Sequence, residues 1–302
     1  TWQTAYMKAH YPEEFYASTF TYEAQDTDKL ATLIEDARSH NLNILPPCIN
    51  TSNGRFHVDE SGAIRFGLEA IKGVGTQAAE NLIEQRILKK EGRFSSYQDF
   101  LTTAVSEKVN RGMIESLIKA GGCDEYQVPR LDLIQGLEED LAVAKHQAKD
   151  LKRGQKSLFE ESEPPSLAKS TKTTIKKRAL SKLEEKQTLK LEKEALGLYL
   201  TRHPLDPYRN VLGGVSPWNS RTILELSDES MVSMAGLATH VEIRPTRKNP
   251  SRKIARLRVE DLHGSIAAFA WPSTVEECGD VLVEDFLGIF HGKVKRESMN
   301  AI

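Results

Sequence analysis

The sequence predicts an α+β, multidomain protein: a helical module followed by a small β-barrel. Two periodicities and one turn carry that expectation. Apolar residues recur every three or four positions as far as about residue 151, and again over 181–212, the spacing of helices with one buried face. From Met231 the pattern changes to the alternation of strands. Between two of the helical runs lies Gly73-Val74-Gly75, a turn built for close backbone approach. A chain of 302 residues exceeds what one core ordinarily serves, so two or three modules are expected.

Residues 1 to about 45 read as helix broken at Pro12, with Tyr6, Met7 and Phe15 in one stretch and Leu30, Leu33, Ile34 and Ala37 at helical spacing after it. Past ILPPCINTSNG, the runs RFHV and AIRFGL are joined by DESG and read as a β-hairpin. Helical spacing then holds from Leu68, with breaks at Gly73 to Gly75, Glu91 to Arg93, Gly121 to Gly122 and Pro129. The run EESEPPSLAKSTKTTIKKR is polar, contains proline and has too little apolar surface to offset its ordering entropy, so it reads as a flexible linker. Helix resumes over 181–212 and ends at HPLDPY. Four strands are expected in MVSMAGLATHVEI, KIARLRVEDL, SIAAFAW and FLGIFHGKVKR. The boundaries drawn are 1–50, 51–152, 153–180, 181–228 and 229–302.

Composition removes several function classes. Hydrophobic residues make up 39% and charged residues 28%, and no apolar run approaches the roughly 20 residues that cross a bilayer, so a soluble protein with no membrane partner is expected. The chain opens on Thr1, shows no basic-then-apolar leader, and reads as a fragment of something longer. Cys48, Cys123 and Cys278 are far apart and form no CxxC pair, which argues against a disulfide framework and a zinc site and suits reduced thiols in a cytoplasmic protein. His146 and His203 have no ligand-spaced partner, so no metal is expected here. Net charge is −2 and does not by itself call for a polyanion; its distribution does.

The sharpest motif is AIKGVGTQAAENLIEQR. A short helix is expected to end at Ile71 and a second to start near Thr76, with Val74 packed between them: a helix-hairpin-helix. Two glycines permit positive φ and close approach, leaving the turn's N–H groups and the second helix's N-terminus facing solvent, where partial positive charge suits a phosphate oxygen. Lys72, Gly73, Val74, Gly75 and Thr76 are the expected duplex-phosphate contacts. Gly75 and Ala79, one turn apart, let the helices pack closely. A plain helical turn without ligand is the competing reading. MIESLIKAGGCDEY repeats the Gly-Gly logic, and there a helix ended by a glycine cap is the better reading.

Two further elements carry chemistry. EIRPTRKNPSRKIARLR joins the first two strands, and from Arg244 to Arg258 it holds no acid. Arg244, Arg247, Lys248, Arg252, Lys253 and Arg256 would line an OB-type barrel's single-strand groove, with Phe269 or Trp271 as stacking partners; a solvated face is the alternative. In RGQKSLFEE, Leu158 and Phe159 sit in a polar tether without an intramolecular home. Presented outward behind the amide of Gln155, they would dock into a partner's pocket, each contributing roughly 1.5–3 kcal/mol before the ordering cost. The other reading is a local clip onto the preceding helix.

In their order, TAYMKAHYPEEFYAS, ILPPCINTSNGRFHV, AIKGVG, LIKAGGCDEY, GQKSLF, EALGLYLTRHPLDPY, VSMAGL and VEDLHGSI resemble the C-terminal part of the alpha subunits of bacterial DNA polymerase III, the C-family replicative polymerases. The resemblance implies that residues 1–50 are the end of a fingers domain, 51–152 a duplex-gripping module, 153–180 the tether carrying the clamp-binding peptide Gln155, Leu158 and Phe159, 181–228 a connecting helical segment, and 229–302 an OB-fold domain cut short of its fifth strand. It also implies DNA, the β sliding clamp and other replicase holoenzyme subunits as partners. Nucleotidyl transfer would rest on Mg2+ held by a palm domain outside these residues, with no catalytic residue and no cofactor in this segment. A freestanding DNA- and clamp-binding adaptor, or an accessory alpha-subunit paralogue, is the alternative.

Overall fold

A computed structural model describes residues 2–152, 182–246 and 249–296. Along the chain its elements are α1 (Trp2–His10), α2 (Pro12–Glu23), α3 (Thr27–Ser39), β1 (Ile44–Leu45), β2 (His57–Val58), β3 (Ile64–Arg65), α4 (Thr76–Ile87), α5 (Tyr97–Ser106), α6 (Arg111–Lys119), α7 (Arg130–Lys152), α8 (Lys182–Leu196), α9 (Arg209–Val215), α10 (Ser220–Ile223), β4 (Met231–Pro245), β5 (Lys253–Glu260), β6 (Ser265–Ala270), α11 (Pro272–Cys278) and β7 (Phe286–Lys293). Helices with two small sheets make up the expected α+β class. They fall into two units, Thr1–Thr27 with His40–Thr201, and Asp28–Ser39 with Arg202–Ile302.

In the first unit Pro12 occupies the first turn of α2, where its missing N–H costs nothing, and the chain breaks there as expected. Tyr16 and Phe20 on α2 are fully buried, and Phe20, Phe56 and Phe66 meet in series, edge-to-face and then tilted, at 5.5 and 4.6 Å between centroids. The expected hairpin forms, with His57 opposite Arg65 and Val58 opposite Ile64. Its turn is tied by Asp59, whose carboxylate accepts from Ser61 Oγ at 2.6 Å, from the amides of Ser61 and Ala63, and from Arg65; the Ser61 bonds hold its pKa below the usual carboxylate value. A parallel strand, β1, joins β3 through Ile44 and Ile64, which no two-residue run could announce by period.

The helices that follow are built from short, well-marked signals. Ser96 caps α5 through the Asp99 amide, Asn110 caps α6 through that of Met113, and Phe100, Leu101, Ala104, Ile114, Leu117 and Ile118 are wholly buried. LIKAGG ends α6 as its glycines suggest. Gly122 N donates to Leu117 O at 2.8 Å and Gly121 N to Ile118 O at 3.0 Å, with Gly121 at φ +92°. Residues beyond the expected linker return to this unit: α8 lies beside α6, with Lys119 Nζ 2.7 Å from Glu194 Oε1.

In the second unit the four expected strands form one antiparallel sheet in the order β6-β5-β4-β7. The long strand β4 serves both neighbours, pairing β7 over Met231–Ala238 and β5 over Leu237–Pro245. It turns between them at Gly236, where a Cβ would lie 2.4 Å from Val259 Cγ1, and at a bulge between Ala238 and His240. Met234, Ala255, Leu257, Val259, Ala270 and Val275 form the core beneath. With α11 between β6 and β7, the arrangement is of OB type. β6 and β7 are edges among the described residues.

Candidate nucleic-acid interface

The hairpin begins differently from expectation. Instead of a helix ending at Ile71 there is one 3-10 turn, Leu68–Ala70, after which Ile71 is extended. β3 stops at Arg65, and the amide of Lys72 is drawn across to Ala195 O at 2.8 Å, so no second turn can close. The second helix starts at Thr76 as expected, with Ala79 wholly buried. The two glycines also differ. Gly73 has φ +81°, which requires glycine, whereas Gly75 is at φ −78° and ψ 143°, and nothing lies within 4 Å of where its Cβ would be. Gly75 is therefore free for approach from outside and is not needed for backbone conformation.

Beneath this turn Val74 is buried, and its amide donates to Ile71 O at 3.0 Å, while Lys72, Gly73, Gly75 and Thr76 face solvent. Neither Gly73 nor Gly75 donates a backbone hydrogen bond among the described residues. Gly75 caps α4 with no side chain, so the first-turn amides of α4 also stay open. The result is a small cluster of outward N–H groups at the positive end of a helix.

The end of α8 holds this turn from below. Besides accepting from Lys72 N, it places Gly197, at φ +80°, under the lysine, where an added Cβ would meet Nζ at 2.9 Å. α8 itself is anchored by Glu192, fully buried, whose carboxylate accepts from Leu200 N at 2.6 Å, Thr201 N at 2.8 Å and Thr201 Oγ1 at 2.8 Å. Arg130 lies 3.6 Å away and donates to Lys119 O and Asp124. Burial opposes its charge, but the Asp124 bonds and the Glu192 charge outweigh that and raise its pKa. The stretch Ile49 to Ser52 is locked by buried Arg86, which donates to the carbonyls of Ile49 and Ser52 at 2.9 and 2.7 Å.

A second candidate surface is the outer face of the sheet. Ala255, Leu257 and Val259 point inward, so Arg256 and Arg258 point outward. Register places Glu242 and His240 of β4 opposite them on one side, and Phe269 and Ala267 of β6 on the other. An open groove of about 260 Å³ runs between His240, Glu242, Arg256, Arg258 and Ser265. Phe269 is 54% exposed, with the Arg256 guanidinium 5.8 Å from its ring centroid, and Trp271 is exposed beyond it.

Among the expected single-strand contacts, the sheet brings Arg244 and Arg256 onto one face, while Arg252 and Lys253 lie at the β4–β5 turn. Acids absent from the basic run itself face it in space: Glu242 pairs with Arg244, and Glu276 Oε1 lies 4.0 Å from Arg252 Nε. Arg258 and His240 share the face without having been chosen as contacts, and their parity with Arg256 was the available signal. Arg247 and Lys248, like Gln155, Leu158 and Phe159, lie outside the described residues. No group of three metal-capable side chains occurs among the described residues.

The hairpin has the buried valine and open glycine amides of a helix-hairpin-helix turn, with a single 3-10 turn in place of the first helix. A model of the helix-hairpin-helix motif family matches residues 41–133, including the hairpin and the Gly121-Gly122 end of α6. Along 94% of its length the chain is 34% identical to a protein of Borreliella burgdorferi named DNA polymerase III subunit alpha, and along 94% it is 35% identical to the subunit of that name from Thermus aquaticus. The one from Xylella fastidiosa is 31% identical over 99%. The chain is a relative of the DNA polymerase III alpha subunits. It spans about a quarter of the length of these relatives, 24%, 22% and 26% respectively.

Proposed function

We propose that this chain is the DNA-holding, C-terminal segment of a replicative polymerase III alpha subunit, gripping duplex by its sugar-phosphate backbone and single-stranded DNA on its sheet, in support of synthesis carried out by a palm domain elsewhere in the subunit. The observation that carries the reading is the Gly73–Gly75 turn, whose open amides sit on a buried valine in a chain related to polymerase subunits. Such donors meet phosphate oxygens and read no base edge. Fluorescence anisotropy with two unrelated duplexes checks it: equal affinities with a common salt slope are expected, and a strong preference for one sequence would count against phosphate recognition.

The same reading gives the peptide Gln155, Leu158 and Phe159 to the β sliding clamp, as an amide anchor followed by an aliphatic-aromatic pair. Its support is the motif itself and the replicative role of the relatives. Replacing all three with alanine should abolish capture by an immobilised bacterial sliding clamp and leave DNA affinity unchanged. Undiminished clamp binding would return the pair to a structural role.

A further inference from the structure

Arg258 is held by an acid where a phosphate would be expected. Its side chain leaves the outer face of β5 two residues from Arg256, about 7 Å along the strand. Nε donates to Ser265 Oγ at 3.0 Å, which fixes the plane of the guanidinium over the groove. The other end of the fork, Nη2, is taken by the carboxylate of Asp28, from the first turn of α3. α3 belongs to the same unit as the sheet, and Arg221 Nη2 also reaches its Thr32 carbonyl at 3.4 Å. Both members of the Asp28–Arg258 pair are open to solvent, at 63% and 49% side-chain exposure.

We propose that Arg258 is a phosphate-binding residue of the single-strand face, and that Asp28 occupies it as a phosphate substitute that nucleic acid must displace. The proposal rests on the reading of this sheet as a single-strand surface. Three observations support it. Phe269 lies across the ladder from Arg256 and Arg258 follows two residues along the same strand, so a strand stacked on the ring and running parallel to β5 would carry its backbone past both guanidiniums. The Ser265 bond leaves the fork oriented whether or not the carboxylate is present. An exposed ion pair contributes only about 0.2–1 kcal/mol, so a phosphate brought by a stacked strand can replace it. Asp28 would then set a threshold, weakening the face toward stray anions and short strands.

The test is a thermodynamic cycle on the full chain, with a fluorescent oligo-dT read by anisotropy. Asp28→Asn should tighten binding about 1.5- to 5-fold, the range that follows from the strength of an exposed pair. The salt slope should stay nearly unchanged, because Arg258 meets a phosphate in both proteins, whereas Arg258→Ala should lower its magnitude by about 0.7. Arg258→Ala should weaken binding, and adding Asp28→Asn to it should change nothing further. Equal tightening in the Arg258→Ala background would show a general charge effect and overturn the proposal, as would unchanged or weaker binding by Asp28→Asn alone. Phe269→Ala on the same ligand separates the two layers. If it lowers affinity while Asp28→Asn does nothing, only the role of Asp28 falls; if it too has no effect, the single-strand reading of the sheet falls with it. Both side chains are exposed, so unchanged melting curves are expected throughout.

Discussion

The hairpin and the sheet face make opposite use of side chains. At Gly73 and Gly75 the surface consists of backbone, and the residues there matter because they bring almost nothing beyond N–H groups, with Val74 and the end of α8 supplying rigidity from beneath. On β5 the backbone is spent in ladders to β4 and β6, and what the face offers outward is side chains, chiefly the guanidiniums of Arg256 and Arg258 and the ring of Phe269. A backbone site binds phosphate without depending on one charge, so it tolerates loss of a lysine but not of a glycine. A side-chain site is tuned residue by residue, and acids such as Glu242 and Asp28 can oppose it. The contrast suits a duplex held by shape and a single strand held by stacking.

Three substitutions act on the two surfaces separately. Gly73→Val should have the largest effect. It forces a branched residue to φ +81°, with its Cβ 3.1 Å from Ser116 Oγ, at a cost of about 2 kcal/mol or more in urea unfolding and a tenfold or greater loss of duplex affinity. A stable, fully binding Gly73→Val protein would mean the turn is neither strained nor used. Next, Phe269→Ala should cost about 1–3 kcal/mol in single-strand affinity, the usual worth of one base stacked on an aromatic ring, with duplex affinity unaltered. Comparable losses on both ligands would merge the two surfaces into one. Smallest is Lys72→Ala, expected to lower the magnitude of the duplex salt slope by about one unit and affinity only a few-fold, because the amides remain. A complete loss of binding would make Lys72, and not the backbone, the principal contact.

Much of the architecture was legible in local signals. Pro12, the start of α4 at Thr76, the glycine end of α6 and all four strands of the sheet follow from caps, breakers and period. What was not legible depends on partners distant in sequence. The amide of Lys72 finds Ala195 across the whole of α5, α6 and α7, and that bond turns an expected helix into one 3-10 turn. The basic run from Arg244 to Arg258 contains no acid, so Glu276 of α11 and Asp28 of α3 could not be foreseen as its counter-charges, whereas Glu242, two residues before Arg244 on the same strand, could. Likewise the distinction between the two glycines, one at positive φ and one in open space, lies in the fold and not in the letters Gly-Val-Gly.

The most direct test of duplex recognition by bare backbone is one titration series with Gly75→Ala. Because φ is −78° and no atom lies within 4 Å of the added Cβ, the methyl group meets nothing inside the protein, and stability should stay within about 1 kcal/mol of wild type, the entropy gained by losing glycine offsetting alanine's poorer fit at a helix N-cap. The methyl would, however, stand where a phosphate must approach. Affinity for two unrelated duplexes should therefore fall several-fold and equally, while affinity for single-stranded DNA stays at the wild-type value. Unchanged duplex binding by this folded variant would contradict the account, since DNA would then not be reaching the turn at all.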